Sequence, residues 1–368
     1  MFLTTTPRRA AVLALAMSAT IGLSACESQT PSTGGTATGA GGAAAGGTDN
    51  AKVAFLMPDL ASTRYELQDK PLFEAKMKEL CPTCTVIYQN ADSDASKQQQ
   101  QANSALAQGA KVLVIDPVDS AGVASTVQAA QSQGAKVIAY DRPSTKAKAD
   151  FYVSFDNEKI GNLIATSLVE KLKADGASGG ILQINGSPTD AAAGLIKKGV
   201  HSAVDTSGFK LLAEYDTPNW QPAKAQEWTS GQITSFGKQI VGVVAANDGT
   251  GGGAIAAFKA AGTTVPPVTG NDAELAAAQR IISGDQYNTI SKPIKIVAEA
   301  AATNAFALLQ GKTPTAESQV FDTPSQLFVP EVVTKETIKK SLFDSGIMEA
   351  AEVCTGPYAA GCSTLGIK

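Results

Sequence analysis

The sequence has almost no histidine and no excess of positive charge. Its single histidine, His201, lies beside Lys197 and Lys198 in a polar helical pattern, where a surface position is expected. At such a position His201 offers no nucleophile–histidine–acid arrangement of the kind that hydrolases use, and with one histidine there is no Cys/His cluster for a transition metal. Lysine and arginine number 30 against 34 acidic residues, a net charge of -4, so nucleic acid is not expected as a partner.

Phosphate-binding motifs and long apolar runs are also scarce. Gly251 to Gly253 follow a predicted strand, but no Gly-Lys-Ser/Thr follows them and the Gly-x-Gly-x-x-Gly spacing is absent. No cofactor is therefore expected. The one long apolar run, Ala10 to Leu23, follows Arg8 and Arg9 and is too short to span a bilayer, which is typical of an export signal.

A cysteine directly follows that apolar run. The motif Leu-Ser-Ala-Cys, ending at Cys26, resembles the bacterial lipoprotein signal, in which this cysteine is lipidated and becomes the mature N-terminus. The alternative is an ordinary secretory peptide with an incidental cysteine. Residues 1–26 are thus assigned as the signal, and residues 27–50, rich in Gly, Ala, Ser and Thr, as a flexible linker that cannot fold by itself. The expected location is the cell membrane, with a lipid anchor on the extracytoplasmic side.

The other four cysteines form two near pairs, Cys81 with Cys84 and Cys354 with Cys362. Outside the cytoplasm such pairs are typically disulfides. The Cys-Pro-Thr-Cys motif could also be a thioredoxin-like redox site or half of a zinc site. It follows a predicted helix and precedes a predicted strand, which is the reverse of the thioredoxin order, and no second metal pair lies nearby in the sequence. We therefore predict structural disulfides.

Two strand–helix–strand patterns recur at equal spacing. In the first, strands end at Asp116 and Asp141, and in the second they end at Asn247 and Asp272, so both intervals are 25 positions (141 - 116 and 272 - 247). Such units build parallel sheets flanked by helices. The fold class is therefore predicted as α/β, with two similar Rossmann-like lobes.

The apolar runs Val137–Tyr140 and Phe151–Phe155 have no helix between them, so the chain is predicted to cross from one lobe to the other after the second run. The predicted boundaries are a first lobe of residues 51–154 and 291–321, a second lobe of 155–290 and 322–353, and a C-terminal tail of 354–368.

Polar and aromatic residues gather where the predicted strands end. Ligands of open α/β sheets bind beyond the carboxyl ends of the strands. Carboxylates accept hydrogen bonds from hydroxyl groups, arginine donates through a planar fork, and an aromatic ring covers the C–H face of a sugar. This inventory is typical of a sugar site: Asp59, Arg64, Tyr65, Asp141, Arg142, Asp190, Trp220, Asn247, Asp248 and Asp272.

Several acids near the strand ends have a simpler interpretation. An Asp or Asn at a strand end often caps the helix that follows. Asp156, Asn157 and Asp248 are assigned mainly to capping, and Asp116, which precedes Pro117, only to shaping its turn.

The motifs themselves resemble a known family. They are Y-D-R-P, Y-V-S-F-D-N-E-K-I-G, N-G-S-P-T-D, A-A-N-D-G-T-G-G-G-A-I, T-G-N-D-A-E-L and I-S-K-P, in that order between about Lys52 and Ile338. The chain is similar to the periplasmic sugar-binding proteins of ABC importers, of the ribose/galactose-binding type and its D-xylose-binding branch. The resemblance implies a type I periplasmic-binding-protein fold that closes around one monosaccharide in the cleft between its lobes.

The resemblance also implies which residues bind the sugar. By matching motif positions they are Arg64, Tyr65, Asp141, Arg142, Asp190, Trp220, Asn247, Asp272 and Lys292. The chain departs from the pattern at Ala191 to Ala193, where the family often has side chains that donate to the sugar. Xylose, another pentose, a hexose or a larger glycoside all remain open as the ligand.

The resulting hypothesis is a monomeric, lipid-anchored protein that delivers a monosaccharide to an ABC permease and its ATPase, without enzymatic activity. One alternative is a sugar-sensing lipoprotein that signals to a membrane sensor. A less favoured one is an exported glycosidase that uses Asp141 and Asp272, which needs carboxylates about 5–9 Å apart. The arginine next to Asp141 would favour its ionised form and disfavour an acid role.

Overall fold

The computed structural model describes residues 48–368, so the assignments of Cys26, of the signal and of most of the linker lie outside the described residues. The strands are β1 (Lys52–Met57), β2 (Thr85–Asn90), β3 (Ala110–Ile115), β4 (Lys136–Tyr140), β5 (Phe151–Phe155), β6 (Gly180–Asn185), β7 (Lys210–Asp216), β8 (Ile240–Ala245), β9 (Asn288–Ser291), β10 (Ser318–Val320), β11 (Thr323–Phe328) and β12 (Glu331–Thr334).

The helices alternate with most of these strands. They are α1 (Lys70–Leu80), α2 (Ala95–Ala107), α3 (Ala124–Ser132), α4 (Asn157–Ala174), α5 (Ala191–Val204), α6 (Pro222–Phe236), α7 (Asp248–Ala260), α8 (Leu275–Ser283), α9 (Ile294–Leu309), α10 (Ala350–Val353) and α11 (Ala359–Thr364). None of the helices from residue 48 onward has the length and apolar character needed to cross a membrane.

The first lobe is built on a sheet of order β2-β1-β3-β4-β5-β11-β10, parallel except for the β10–β11 hairpin. Its interior strand β1 is apolar from Val53 to Met57 because both faces are covered, as in other parallel sheets. Val53, Phe55 and Met57 pack into the core beneath α1 and α9, whereas Ala54 and Leu56 pack into the core beneath α2 and α3. Successive side chains of one strand point to opposite faces of the sheet and thus pack into two separate cores.

The second lobe is built on the parallel sheet β7-β6-β8 and the antiparallel pair β9–β12. A single parallel bridge between Val243 and Val268 is all that forms where a strand ending at Asn271-Asp272 was predicted. The prediction of a regular strand ending at Asn271-Asp272 is therefore wrong. Pro266 and Pro267 lack the backbone N–H groups that a regular ladder would need.

The return of the chain to the second lobe occurs later than predicted. Residues after Phe321 were assigned to the second lobe, but β11 pairs in parallel with β5 of the first-lobe sheet. Only β12, from Glu331, joins the second lobe, through β9. The correction has a physical reason, because without β11 the fully buried strand β5 would be left as an unpaired sheet edge.

Helices α4 and α5 of the second lobe approach closely at two glycines. A Cβ atom at Gly161 would overlap the carbonyl oxygen of Ile196, and one at Gly199 would overlap that of Glu158. Any larger residue would force the helices apart. This contact fixes the position of α5, the helix that Asp190 caps.

The predicted C-terminal tail is instead part of the second-lobe core. Cys362 and Ile367 are buried in one cluster with Ile282 and Leu342. Cys354 and Cys362 have Cα atoms 5.8 Å apart, and the Cα atoms of Cys81 and Cys84 are 5.3 Å apart. Both separations are within the range of roughly 4.4–6.8 Å that disulfides require.

Candidate functional site

The carboxyl ends of the strands in both lobes face a common cleft. The residues predicted from the motifs reach it from loops or helix starts, where backbone groups are free to take positions that a strand interior forbids. The structure brings all nine of them into the lining of one cavity of about 30 Å³: Arg64, Tyr65, Asp141, Arg142, Asp190, Trp220, Asn247, Asp272 and Lys292.

The two lobes touch across the mouth of this cleft. The backbone N–H of Ser120 donates to the carbonyl oxygen of Thr189 at 2.9 Å, and the Ser120 hydroxyl accepts from the N–H of Ala191 at 3.0 Å. The Thr189 hydroxyl donates to the carbonyl oxygen of Val118 at 3.2 Å. The described conformation is therefore closed, and its cavity is small beside ligand pockets of roughly 300–1,000 Å³.

Arg64 comes from the loop after β1 and is almost fully buried. Its Nε and Nη2 atoms donate to the carboxylate of Asp69 at 3.2 and 3.0 Å. The same guanidinium lies 3.3 Å from Asp141 and 3.5 Å from Asp272, which belongs to the opposite lobe. Arg64 therefore ties the two lobes together through carboxylates.

Lys292 supplies the second cation on this side of the cleft. It stands between β9 and α9, at a point where the chain passes from the second lobe to the first. Its ammonium group lies 2.6 Å from Asp272 and 3.9 Å from Asp141. Asp141 and Asp272, the two symmetric positions of the sequence repeat, thus meet across the cleft and share two cations.

Arg142 forms the centre of a second group of charges. Its Nη2 atom donates to Asp59 at 2.6 Å. Its Nε atom lies 3.4 Å from Asp116 and 3.2 Å from Asp190, which caps α5 in the opposite lobe. Asp116, which was assigned only to its turn, is fully buried here and neither of its carboxylate oxygens accepts a hydrogen bond.

Trp220 covers one side of the cavity. Its indole N–H donates to Asp190 at 3.0 Å, and its ring lies so close to Gly186 that a Cβ atom there would overlap it. Trp220 has a left-handed backbone conformation (φ 55°), as do Asp141 (φ 56°) and Asp272 (φ 101°). Such strain is uncommon outside glycine and is concentrated at functional sites.

The charges set the protonation of the carboxyl groups. Burial by itself would raise the pKa of Asp141, but Arg64, Lys292 and Arg142 outweigh it and lower this pKa to about 2. Burial raises the pKa of Asp116 and of Asp190, and the opposing charge of Arg142 does not reverse it. Asp141 is therefore an ionised hydrogen-bond acceptor at neutral pH.

Two capping assignments from the sequence need correction. Asn157 lines the cavity, and the cap of α4 is Asp156, whose side chain accepts from the N–H of Lys159. Asp248 does not cap α7; Asn247 does so, by accepting from the N–H of Thr250. Asp248 is instead buried and accepts from Gln286 and Thr289.

Other residues of the site were not found from the sequence. Ser62 lies in the loop after β1 and Asn271 directly precedes Asp272. Amide and hydroxyl groups near the predicted strand ends would have indicated both. Ala192 and Ile196 add an apolar wall from α5, which no polar motif could indicate. Within residues 48–368 no group of His, Cys, Asp and Glu side chains is arranged to hold a metal ion.

The fold and the site define a class: a two-lobed protein that encloses a small solute in a polar cleft. A model of the periplasmic binding protein domain matches residues 53–313. The chain is 33% identical to the D-xylose-binding periplasmic protein of Escherichia coli (strain K12), over 82% of this chain and 92% of that one. It is 30% identical to the multiple sugar-binding periplasmic receptor ChvE of Rhizobium radiobacter, over 83% of this chain and 93% of that one.

Solved structures agree. An ABC transporter solute-binding protein from Clostridium phytofermentans with bound β-D-glucose superposes with a TM-score of 0.75 at 26% identity, covering 82% of this chain and 99% of that one. The chain belongs to the periplasmic binding protein family. It is an extracytoplasmic solute-binding protein of the α/β, two-lobed type and not an enzyme, as members of this family bind solutes without transforming them.

Proposed function

We propose that this protein captures a neutral monosaccharide, a pentose or hexose such as xylose, and delivers it to the permease and ATPase of an ABC importer. The observation that carries the proposal is the meeting of Arg64, Arg142 and Lys292 with ionisable carboxyl groups from both lobes in one buried cleft. Alternating donors and acceptors suit a ligand with many hydroxyl groups and no charge of its own.

The apolar part of the cavity supports the same ligand class. Trp220, Ala192 and Ile196 lie on the second-lobe side, opposite Tyr65 of the first lobe. A pyranose ring presents C–H groups on its faces and hydroxyl groups at its edge. We propose that its faces pack against these side chains while the edge reaches Asp141, Arg142 and the other polar groups.

Closure requires the ligand to compete with the protein's own ion pairs. In the described conformation Arg64 and Lys292 already bridge to Asp272 of the second lobe. We propose that the sugar hydroxyls insert between these groups as the lobes close by a hinge motion, so that ligand contacts replace part of the direct bridging.

The proposal also covers the location, the oligomeric state and the disulfides of the protein. Cys26 carries a lipid that anchors the chain to the cell membrane on its extracytoplasmic side, and the protein acts as a monomer. The near cysteine pairs, Cys81 with Cys84 and Cys354 with Cys362, are disulfides. Mass spectrometry of the native chain and of Cys26→Ser, with and without reduction and thiol labelling, tests the anchor and both bridges.

The binding proposal is tested by thermal-shift measurements on the full-length protein with pentoses, hexoses, disaccharides and polyols, followed by titration calorimetry. A ligand at a hundred times its dissociation constant adds about 2.7 kcal/mol to the free energy of unfolding. Asp141→Asn should weaken the binding of the active sugar by about tenfold or more, while the exposed control Lys198→Ala should bind normally. The absence of a shift with every sugar would contradict the proposal.

A further inference from the structure

The helix after β1 begins with an unusual turn. Residues Tyr65–Asp69 form a π-helical turn, in which the N–H of Lys70 donates to the carbonyl oxygen of Tyr65, five residues back. The regular helix α1 begins only at Lys70, with Pro71 in its first turn. Wider turns of this kind are rare and often occur at functional sites.

The wider turn brings Arg64 and Asp69 together. These residues are five positions apart, and their side chains meet in a two-pronged hydrogen bond from Nε and Nη2 to the two carboxylate oxygens. In a regular α-helix, facing residues are three or four positions apart. The π-helical turn therefore brings the carboxylate of Asp69 onto the same side as the guanidinium.

Asp69 itself does not belong to the cavity lining. It is fully buried and also accepts a hydrogen bond from the hydroxyl of Tyr140, the residue before Asp141. Asp69 is thus bonded to Arg64, which enters the cleft, and to Tyr140, which directly precedes the ionised Asp141. Buried polar networks with satisfied hydrogen bonds rigidify the groups that they join, so Asp69 can act on the cleft through these partners.

The other contacts of the Arg64 guanidinium indicate what the role of Asp69 is. Its Nη1 and Nη2 atoms lie 3.5 Å from Asp272 and 3.3 Å from Asp141. Without Asp69, these two carboxylates would be the remaining counter-ions of Arg64, and the side chain would turn fully toward them. The acceptors that the proposed ligand needs would then be occupied.

We infer that Asp69 is a positioning residue for ligand binding: it fixes one edge of the Arg64 guanidinium so that the other edge stays available to the solute. This inference rests on the proposed function, because Arg64 is taken to donate to the bound sugar. The corresponding pair on the other side of the cleft, Arg142 with Asp59, is separated by 83 positions in sequence and needs no special turn.

The first experiment needs no ligand. The full chain contains five arginines, so ¹⁵N-arginine labelling gives a sparse NMR spectrum in which Arg64→Lys identifies the Nε–H signal of Arg64. A slowly exchanging signal is expected in the wild type and its loss in Asp69→Asn. The matched control Tyr140→Phe removes the other hydrogen bond of Asp69 and should keep the signal. Rapid exchange in the wild type would by itself overturn the inference, even if a variant failed to fold.

The second experiment is a double-mutant cycle on binding, with D-xylose and D-glucose as the probes in titration calorimetry. Asp69→Asn should weaken binding by about tenfold, and should have no further effect in the Arg64→Ala background. Normal binding by Asp69→Asn, or additive losses in the double variant, would overturn the inference. A wild type that binds no sugar would instead contradict the proposed function, and the NMR result would still decide the role of Asp69.

Discussion

The two arginines of the cleft balance different amounts of negative charge. Arg64 contacts three carboxyl groups, Asp69, Asp141 and Asp272, and a second cation, Lys292, contacts the last two of them. Arg142 alone faces three others. These are Asp59, Asp116 and Asp190.

The difference in charge balance appears in the pKa values. On the Arg64 side the cations lower the pKa of Asp141 to about 2 despite its burial, whereas on the Arg142 side burial keeps the pKa of Asp116 and Asp190 raised. Asp141 on the Arg64 side is therefore an acceptor that is ionised at neutral pH, whereas Asp116 and Asp190 on the Arg142 side bind protons more readily. The same residue types, placed with one cation or two, acquire different chemistry.

The largest expected effect is on stability. Arg142→Ala leaves three buried carboxyl groups without a cation among the described residues, and removing one partner of a buried ion pair costs about 3–5 kcal/mol. Arg64→Ala should cost less, because among the described residues only Asp69 is left without a cation, while Lys292 still contacts Asp141 and Asp272. Urea unfolding of both variants at neutral pH measures the difference. Equal losses, or a larger loss for Arg64→Ala, would contradict the comparison.

A smaller effect is the pH dependence of stability that two buried carboxyl groups, Glu274 and Asp248, produce. Burial raises the pKa of Glu274 to about 8, with Asp248 adding to the effect, and burial raises that of Asp248 to about 7. Both values exceed those of an unfolded chain, so the folded state holds extra protons between about pH 5 and 8 and loses stability as the pH rises through that range. Glu274→Gln should flatten this slope by up to about 1.4 kcal/mol per pH unit, the contribution of one proton.

The pH prediction is measured as the urea midpoint of unfolding at several pH values. Glu336→Gln is a suitable control. The hydroxyl of Thr334 lowers the pKa of exposed Glu336, so this carboxyl group does not titrate in that range. A Glu274→Gln profile that runs parallel to the wild type would show that Glu274 does not carry the proton.

The smallest effect tests the indole of Trp220. Trp220→Phe removes the N–H that donates to Asp190 but keeps an aromatic ring, so sugar binding should weaken by about 1 kcal/mol, the usual value of one hydrogen bond. Trp228→Phe is the matched control, since that ring stacks on Tyr215 and is not part of the cavity lining. Calorimetric titration compares the two. A greater loss for Trp228→Phe would exclude the proposed role of Trp220.

Much of the site could be predicted from local sequence. Asp141 and Arg142 follow β4 and Asn247 lies just after β8, and parallel strands end at one edge of a sheet. Asp272 follows an apolar run that forms only a single bridge. The motif resemblance added Lys292, whose position at the passage between lobes has no local signature.

The missed features depend on partners distant in sequence. Asp69 acts through a π-helical turn that no apolar periodicity indicates, and Asp116 acts through Arg142, which is 26 positions later (142 - 116). The pairing of β11 with β5 likewise joins residues that are far apart in sequence, such as Ser325 and Tyr152. Such contacts are set by tertiary packing rather than by the local pattern.

The burial of Ile367 beside the last residue has a practical consequence. Removing the chain beyond Val353 would take Cys362 and Ile367 out of a cluster that also holds Ile338 and Leu342, and would leave an apolar hole in the second lobe. Truncated versions made for crystallisation or biosensors should therefore keep residues 354–368, and an affinity tag should not replace any part of that segment.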